Sequence, residues 1–341
     1  MNILVIRDDK PGHYTQSDGL VLSLMELFPT AKVEYIEVEI KNKISRKLLR
    51  FLLNKTTNFF KIKSNLKYLK YFYKKYSLPL NAPEIIVSTG GNTSNFNVWL
   101  AKAYGSKNIL NGGLRGLGSS LFTCITSVID TGCSNQIVID TGPNTMTMES
   151  LQNAALKYAK KENLNLRKEY YTLLIGGDGN GYRYDKQFYN NLIEFIERIS
   201  KIENIFWLIT TSRRTPLKYE SMMKENLKKE NIIFIDYNEN PQKVMHSFLG
   251  ISKKIFVTEE SSSMISEAIS ANKPVYTIGT TMANIDDKFF LVLKKYVDNK
   301  KIQRIKLDKY ELMDDFCIDA IDHYKNISNL LRPIFLKGTQ Q

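Results

Sequence analysis

The stretch VTEESSSMISEA, residues 257–268, joins an apolar strand to a helix through a turn that is rich in hydroxyl groups. The turn holds two glutamates and then Ser261, Ser262 and Ser263. Backbone N–H groups in the first turn of a helix lack intrahelical partners, and the helix dipole favours negative charge there, so this turn is a candidate anion site. Serine is also a preferred N-cap residue, and the pattern alone leaves simple capping as the alternative.

Four other predicted strands end in loops of similar chemistry. Their sequences are RDDKPGHYTQS after the first strand, TGGNTS after residue 88, GGDGNGYRYD after residue 175 and TTSRRTP after residue 209. Glycines let a backbone approach a ligand, Ser and Thr supply hydroxyl donors, and Arg213 or Arg214 supplies a guanidinium fork that matches phosphate oxygens. The chain lacks a G-x-x-x-x-G-K-[ST] motif, which argues against a P-loop kinase or ATPase. Together these loops predict a phosphate-bearing ligand.

Short apolar runs alternate with helix-like segments along the chain, and these are the elements that must position the loops. This alternation is the order of an α/β protein. Buried strands between helices predict parallel sheets, whose ligands bind beyond the carboxyl ends of the strands. The pattern restarts near Lys168, and 341 residues suffice for two domains of roughly 150 residues each. We predict an N-terminal domain over residues 1–160, a C-terminal domain over 168–310, and a helical tail over 311–341 that packs back on the N-terminal domain.

The formal net charge of +13 is concentrated in residues 41–76, which hold twelve Lys or Arg and no Asp or Glu. Leu, Phe and Tyr are interleaved with these cations at helical spacings, which favours a basic amphipathic element resting on an anionic membrane surface. A stacking platform for single-stranded nucleic acid is a less favoured interpretation, and a solvated lysine-rich helix face is the third.

No apolar run approaches the ~18 residues of a membrane span, and the N-terminus MNILVIRDD lacks the basic region of a signal peptide. We therefore expect a cytoplasmic protein. Cys124, Cys133 and Cys317 form neither a CxxC pair nor a Cys/His ligand set, so the sequence predicts no metal site and no disulfide framework.

Five blocks in this order resemble the mitochondrial-fission ELM family, whose bacterial members are regarded as glycosyltransferases of the GT-B fold. They are DDKPGHYTQSDGL (8–20), LLIGGDGNGYRYD (173–185), TTSRRTP (210–216), NENP (238–241) and VTEESSSMISEA. In the last block Glu260 stands where the family usually has Asp. The resemblance implies two Rossmann-like domains with parallel sheets that face a central cleft, and a nucleotide-sugar donor held mainly by the C-terminal domain without a metal or other cofactor.

The resemblance also implies roles for individual residues. The three serines would donate hydrogen bonds to the donor phosphate, and Glu267 would accept one from a ribose hydroxyl. The donor-binding candidates are Gly176, Gly177, Asp178, Thr211, Ser212, Arg213, Arg214, Glu260, Ser261, Ser262, Ser263, Met264 and Glu267.

Transfer of a sugar to an alcohol acceptor needs a base that takes the hydroxyl proton. His13 is the preferred candidate, because the chain has only three histidines and this one follows the first strand. Asp8, Asp9 and Asp18 are alternative bases or orienting groups, and a histidine that only binds substrate or caps the helix is the competing interpretation. The acceptor-side binding candidates are Lys10, Gly12, Gln16, Gly90, Gly91 and Asn92.

Together these expectations predict a metal-independent glycosyltransferase on the inner face of the cytoplasmic membrane. Its partners would be a nucleotide sugar and a lipid-linked or glycan acceptor of the lipopolysaccharide core or capsule type. A nucleotide-sugar epimerase of the same architecture and a non-catalytic membrane-associated adaptor are the alternatives, and the sequence leaves the nucleotide and the sugar open.

Overall fold

The computed structural model describes residues 1–56, 58–280, 283–307, 316, 318 and 320–336. The chain divides into two compact units. The first unit comprises Met1–Thr145 together with His323–Gln341, and the second comprises Met146–Asp322. Of the predicted tail, residues 311–315, 317, 319 and 337–341 lie outside the described residues.

The first unit is built from strands and helices that alternate along the chain. They are β1 (Asn2–Arg7), α1 (Pro11–Leu27), β2 (Lys32–Glu37), β3 (Glu39–Ile40), α2 (Lys43–Lys55), β4 (Tyr73–Lys75), β5 (Ile85–Thr89), α3 (Ser94–Tyr104), β6 (Lys107–Asn111), β7 (Cys124–Ser127), β8 (Gln136–Val138) and the last helix among the described residues, α10 (His323–Phe335).

The described residues of the first unit form a six-stranded sheet in the order β2-β1-β5-β6-β7-β8, in which all neighbours are parallel. The chain passes from β1 outward to β2 and then returns to β5 on the other side of β1. The loops after β1 and β5 therefore diverge at the carboxyl edge of the sheet, which is the switch point where ligands of open α/β sheets bind.

Side chains of β1 alternate between the two faces of this sheet, and each face is covered by helices. Leu4 and Ile6 join a cluster with Trp99 of α3, while Ile3 and Val5 join the cluster that contains α1 and α10. Successive side chains of a strand point to opposite faces, so a central strand with helices on both sides is apolar throughout. Helix α10, which lies within the predicted tail, packs against α1.

The basic segment 41–76 is not one continuous amphipathic helix. It contains α2, two stretches of 3-10 helix at Phe59–Lys61 and Lys63–Tyr71, and β4, which pairs with β3 in an antiparallel ribbon. Its apolar side chains supply the buried anchors of the segment, among them Leu49 and Leu53 of α2.

The second unit repeats the same plan after Thr145. Its elements are α4 (Met148–Lys161), β9 (Tyr170–Leu174), α5 (Lys186–Glu203), β10 (Phe206–Thr210), α6 (Leu217–Asn226), β11 (Ile232–Ile235), α7 (Met245–Ile251), β12 (Lys254–Thr258), α8 (Ser262–Ser270), β13 (Val275–Ile278), α9 (Asp287–Asp298) and β14 (Gln303–Ile305).

The strands described for this unit form a parallel sheet of six in the order β11-β10-β9-β12-β13-β14, with its switch point between β9 and β12. Trp207 and Phe256 pack together on one face, and Leu208 joins Phe248 on the other. Two Rossmann-like units with parallel sheets confirm the predicted α/β fold class.

Helix α4 belongs to the second unit, whereas the sequence analysis placed residues up to 160 in the first domain. The helix buries Leu151, Ala155, Tyr158 and Ala159, a stripe at i, i+4, i+7 and i+8, and it packs against α7. At Gly250 of α7 an added Cβ would lie 2.3 Å from the backbone oxygen of Leu151, so the two helices touch backbone to backbone. The division at residue 145 follows from this contact.

Within the described part of the chain, no helix has both the length and the apolar composition needed to cross a membrane.

Candidate functional site

A histidine–aspartate pair lies at the switch point of the first sheet. Asp8 follows β1 directly and is buried, and Pro11 at the first position of α1 starts the helix that carries His13. His13 Nδ1 lies 3.0 Å from each carboxylate oxygen of Asp8. With the Asp8 carboxylate accepting from Nδ1–H, Nε2 is left free to accept a proton from a substrate.

Gly90, in the loop after β5, allows the imidazole to occupy this position. Its φ is +84°, a conformation that favours glycine, and an added Cβ would lie 2.3 Å from Cε1 of His13. The loops of the two strands at the switch point therefore meet at the histidine.

A cavity of about 330 Å³ opens beside His13, within the first unit. Its lining is Lys10, His13, Arg46, Arg50, Gly90, Gly91, Asn92, Ser94, Asn95 and Arg115. The structure thus brings together four of the predicted acceptor-side residues, Lys10, Gly90, Gly91 and Asn92, with His13. The three arginines were missed, because two lie in the segment assigned to a membrane surface and the third lies in the loop after β6.

The other predicted residues of the first unit lie elsewhere. Asp18 accepts two hydrogen bonds from Arg7 at 2.7 and 2.8 Å, and Asp9 is exposed. The side-chain oxygen of Gln16 accepts from Asn111 at 2.9 Å. Gly12 lies in the first turn of α1. None of these four predicted residues lines the cavity.

In the second unit, the loops after β9 and β12 interlock at the switch point. The backbone N–H of Gly176 donates to the Thr258 hydroxyl at 2.8 Å, and that of Gly177 donates to Glu260 Oε1 at 3.1 Å. An added Cβ at Gly176 would lie 1.5 Å from Glu260 Oε1, so glycine is required for this approach. Asp178 is exposed and accepts from the backbone N–H of Tyr184 at 3.0 Å.

Both glutamates of the turn after β12 are buried and paired with protein groups. Glu260 accepts from Arg214 and from the Tyr184 hydroxyl, each at 3.1 Å. Burial raises the pKa of Glu260 to about 7, although Arg214 acts in the opposite direction. Glu259 accepts two hydrogen bonds from Arg304 of β14, at 2.6 and 2.8 Å. These carboxylates hold the loop in shape, so ligand contacts fall to the residues that follow them.

The serines at the start of α8 are not used as a side-chain cap. Ser261 occupies the N-cap position, but its hydroxyl makes no capping hydrogen bond. Ser262 and Ser263 are half-buried, and no hydrogen bond of their hydroxyls to another described residue is present. Met264 completes the first turn and is buried. The turn therefore presents hydroxyls and free backbone N–H groups together.

Glu267 lies one turn further along α8, four residues after Ser263 and on the same side of the helix. Its side chain is buried, and burial raises the pKa of the carboxyl group to about 7. Within the described residues, no hydrogen bond or ion pair reaches this carboxyl group. The residue is 8% exposed and its carboxyl oxygens are not among the fully buried polar atoms that lack a partner, so they remain within reach of a ligand as hydrogen-bond acceptors.

The loop after β10 distinguishes the two predicted arginines. Arg214 lies against Glu260, whereas Arg213 is exposed. The Ser212 hydroxyl accepts from the backbone N–H of Arg214 at 3.2 Å, and Thr211 donates to Glu220. The three loops that carry the predicted donor residues thus converge at one edge of the second sheet.

No cluster of three or more His, Cys, Asp or Glu side chains that could hold a metal ion occurs among the residues that the structure describes.

Solved structures with the same architecture place the fold in the GT-B class. MurG of Acinetobacter baumannii is 12% identical and has a TM-score of 0.51, covering 100% of this chain and 95% of that chain. The UDP-GlcNAc 2-epimerase of Methanocaldococcus jannaschii is 13% identical with a TM-score of 0.54, covering 98% and 100%. Two Rossmann-like units, each with its polar loops at the switch point, define a GT-B-type protein.

The chain belongs to the mitochondrial fission ELM1 family, whose model matches residues 11–314. The resemblance stated from the sequence blocks is confirmed. An uncharacterised protein of Rickettsia prowazekii (strain Madrid E) is 24% identical over 370 residues, covering 97% of this chain and 98% of that protein.

Proposed function

We propose that the chain is a glycosyltransferase that takes a sugar from a nucleotide-sugar donor bound by the second unit. The observation that carries the proposal is the start of α8, where the serine hydroxyls are not used for capping and Glu267 is buried without a partner. A phosphate suits the helix N-terminus, and ribose hydroxyls supply the donors that a buried carboxylate needs. A UDP-GlcNAc 2-epimerase shares the fold, and its name also refers to a nucleotide sugar.

His13 serves as the base in this proposal. The acceptor hydroxyl gives its proton to Nε2 as its oxygen bonds to the anomeric carbon of the donor sugar, and the bond from that carbon to the phosphate oxygen breaks. Asp8 keeps Nδ1 protonated and stabilises the imidazolium that forms. The negative charge that develops on the leaving phosphate is stabilised by the N–H groups and hydroxyls at the start of α8. No metal ion is needed for the step as written.

The acceptor is proposed to be lipid-linked or part of a surface glycan such as lipopolysaccharide core or capsule, reached from the inner face of the cytoplasmic membrane. The support is the outer face of α2, where Ile44, Leu48 and Phe51 are 77%, 50% and 59% exposed. These residues are spaced i, i+4 and i+7, so they form one apolar stripe, and Lys43 and Lys47 lie in the same exposed segment. This pattern is typical of a helix that lies in a membrane interface.

The binding site for the nucleotide can be tested through Glu267. We expect the wild-type protein to bind a nucleoside diphosphate such as UDP, ADP or GDP in EDTA, as measured by calorimetry at pH 6 and pH 8. Since the pKa of Glu267 is about 7, its carboxylate forms over this range, and charged hydrogen bonds to ribose should strengthen binding by about tenfold. Glu267→Gln should remove this gain.

Glu225→Gln is the matched control, because Glu225 is an exposed acid on α6 of the same unit. This control should leave the nucleotide affinities at pH 6 and pH 8, and the ratio between them, the same as in the wild-type protein. A wild-type protein that binds none of these nucleotides, or only with Mg²⁺ or Mn²⁺, contradicts the donor site. Conversion of a nucleotide sugar to its epimer without any acceptor would assign the epimerase activity instead.

A further inference from the structure

The cavity beside His13 is lined by an unusual excess of positive charge. Lys10, Arg46, Arg50 and Arg115 all border a space of about 330 Å³. Within the described part of the chain none of these four side chains forms an ion pair with an Asp or Glu. The nearby carboxylate of Asp8 is directed at the His13 imidazole and at the backbone N–H of Lys10. Four cations gathered without a counter-charge repel one another, and a bound anion would relieve that repulsion.

Two of the arginines are held in place by neutral partners. Arg46 donates to the side-chain oxygen of Asn92 at 2.9 Å, and Arg50 donates to the backbone oxygen of Arg115. Asn54, one turn beyond Arg50 on α2, donates to the backbone oxygen of Gly116 at 2.9 Å. These contacts fix α2 against the loop after β6, so the guanidinium groups are positioned before any ligand arrives. Neutral anchors of this kind leave their charge uncompensated.

The size and lining of the cavity indicate the class of ligand. Its volume corresponds to roughly ten water molecules at about 30 Å³ each, which exceeds the room that a single phosphate needs. Ser94 and Asn95, in the first turn of α3, add polar groups and free backbone N–H groups at the start of an eleven-residue helix. Guanidinium forks match phosphate oxygens in pairs.

We propose that this cavity binds a phosphate or diphosphate group of the acceptor, next to the base that deprotonates the acceptor hydroxyl. The assignment of this ligand as the acceptor rests on the proposed glycosyltransferase function, whereas binding of a phosphate group in the cavity does not. The arginines of α2 then have a second role that is separate from any membrane contact of the same helix.

The test uses the full chain and inorganic pyrophosphate as the probe, with calorimetry at low ionic strength. We expect saturable binding that Arg115→Gln weakens about tenfold or more, the loss expected for one charged hydrogen-bonding partner. The Arg115 guanidinium makes no hydrogen bond to a described residue, so its removal leaves no protein group unpaired. Arg50→Gln is the second variant, and it should weaken binding by a similar factor.

Two controls place the site. Lys47→Gln removes one positive charge from α2, as Arg50→Gln does, but Lys47 lies outside the cavity lining. This variant should keep pyrophosphate binding within about twofold of the wild-type value. Ser262→Ala with Ser263→Ala, in the second unit, should also leave the arginine-dependent binding unchanged. Absence of pyrophosphate binding, or losses in Lys47→Gln equal to those in Arg115→Gln, would overturn the proposal even if nucleotides bind the second unit normally.

Phosphate groups of different origin are compared in the same assay. Octyl phosphate represents a lipid-linked group, and glucose 6-phosphate represents a phosphorylated glycan. Binding of either that depends on Arg115 supports the proposal, and the tighter of the two identifies the source. Failure of the proposed function would instead show as loss of nucleotide binding by the second unit with pyrophosphate binding retained.

Discussion

Gly90 shows how a single missing side chain determines the geometry of the proposed base. The loop after β5 passes so close to His13 that any Cβ at this position would overlap the imidazole. The contact joins two residues that are 77 positions apart in the sequence, and it holds the ring where Asp8 can accept from Nδ1. The position of His13 therefore depends on backbone shape as well as on its carboxylate partner.

We expect Gly90→Ala to displace His13. The NMR chemical shifts of the His13 ring protons are the direct measurement, since the chain has only three histidines to assign. The substitution should move these ring resonances and lower any transferase turnover, and it should reduce stability by more than the about 1–2 kcal/mol that a positive φ costs an alanine.

Gly105→Ala separates the contact from the backbone effect. Gly105 also has a positive φ, +71°, but an added Cβ there meets nothing within 4 Å. The Gly105→Ala variant should lose stability only through its backbone and should leave the His13 ring resonances unchanged. Unchanged ring resonances in Gly90→Ala would rule out control of the ring position by this glycine.

At the scale of elements, α2 combines two surfaces on one short helix. Arg46 and Arg50, spaced i and i+4, border the cavity beside His13, while Ile44, Leu48 and Phe51 are exposed. Leu49 and Leu53 anchor the helix in the core between these surfaces. The two lysines of β4 differ from those of the exposed surface in their ion pairing: Lys74 is paired with Glu39, and Lys75 is paired with Glu37.

Leu48→Gln with Phe51→Gln should release the protein from anionic vesicles, as measured by co-sedimentation with phosphatidylglycerol-containing liposomes. Each large apolar side chain transferred from water contributes up to about 1.5–3 kcal/mol, so the double change should weaken binding by at least tenfold. Nucleotide binding by the second unit should not change.

Lys74→Gln with Lys75→Gln is the matched control for the vesicle experiment. Because both lysines are ion-paired with glutamates, their removal should have a small effect. Binding that is equally strong to neutral vesicles, or that follows the β4 lysines and not the apolar stripe, would contradict a membrane-facing role for α2.

At the scale of the whole molecule, the first unit is assembled from both ends of the chain. Helix α10 follows the entire second unit in sequence, yet Ile327, Leu331 and Phe335 join the core cluster that contains Leu20 and Leu24 of α1. The core of the first unit therefore depends on a helix that follows the whole second unit in the sequence.

Leu331→Ala should destabilise the first unit selectively, by about 2–5 kcal/mol, since Leu331 is fully buried. Each unit contains one of the two tryptophans, Trp99 and Trp207, and both are buried. Denaturation is monitored by tryptophan fluorescence. In a Trp207→Phe background the signal reports unfolding of the first unit, and in a Trp99→Phe background it reports unfolding of the second. Only the first of these transitions should shift.

Leu330→Ala provides the control on the same helix, because Leu330 is 38% exposed and should have little effect. Equal shifts of both tryptophan transitions in Leu331→Ala would contradict the assignment of α10 to the first unit.

The sequence by itself determined the alternation of strands and helices, the polar loops that end the strands, and the family. The strands that precede the polar loops were visible as apolar runs, because a strand covered on both faces must be apolar along its length, and that signal is local. The serines of α8 and the loop of His13 were found for the same reason, since each lies next to such a run.

Only the tertiary structure decided which polar side chains remain available to a ligand. Glu260 was expected to contact the ligand but is buried against Arg214 and Tyr184. Arg46 and Arg50 were assigned to a membrane-facing segment and Arg115 to no site, yet the three arginines border one cavity. The strand order, β2-β1-β5-β6, brings the loops of β1, β5 and β6 to one edge of the sheet and places α2 beside them. Contacts of this kind join residues tens of positions apart, and they depend on the packing of whole elements, for which local sequence patterns carry no signal.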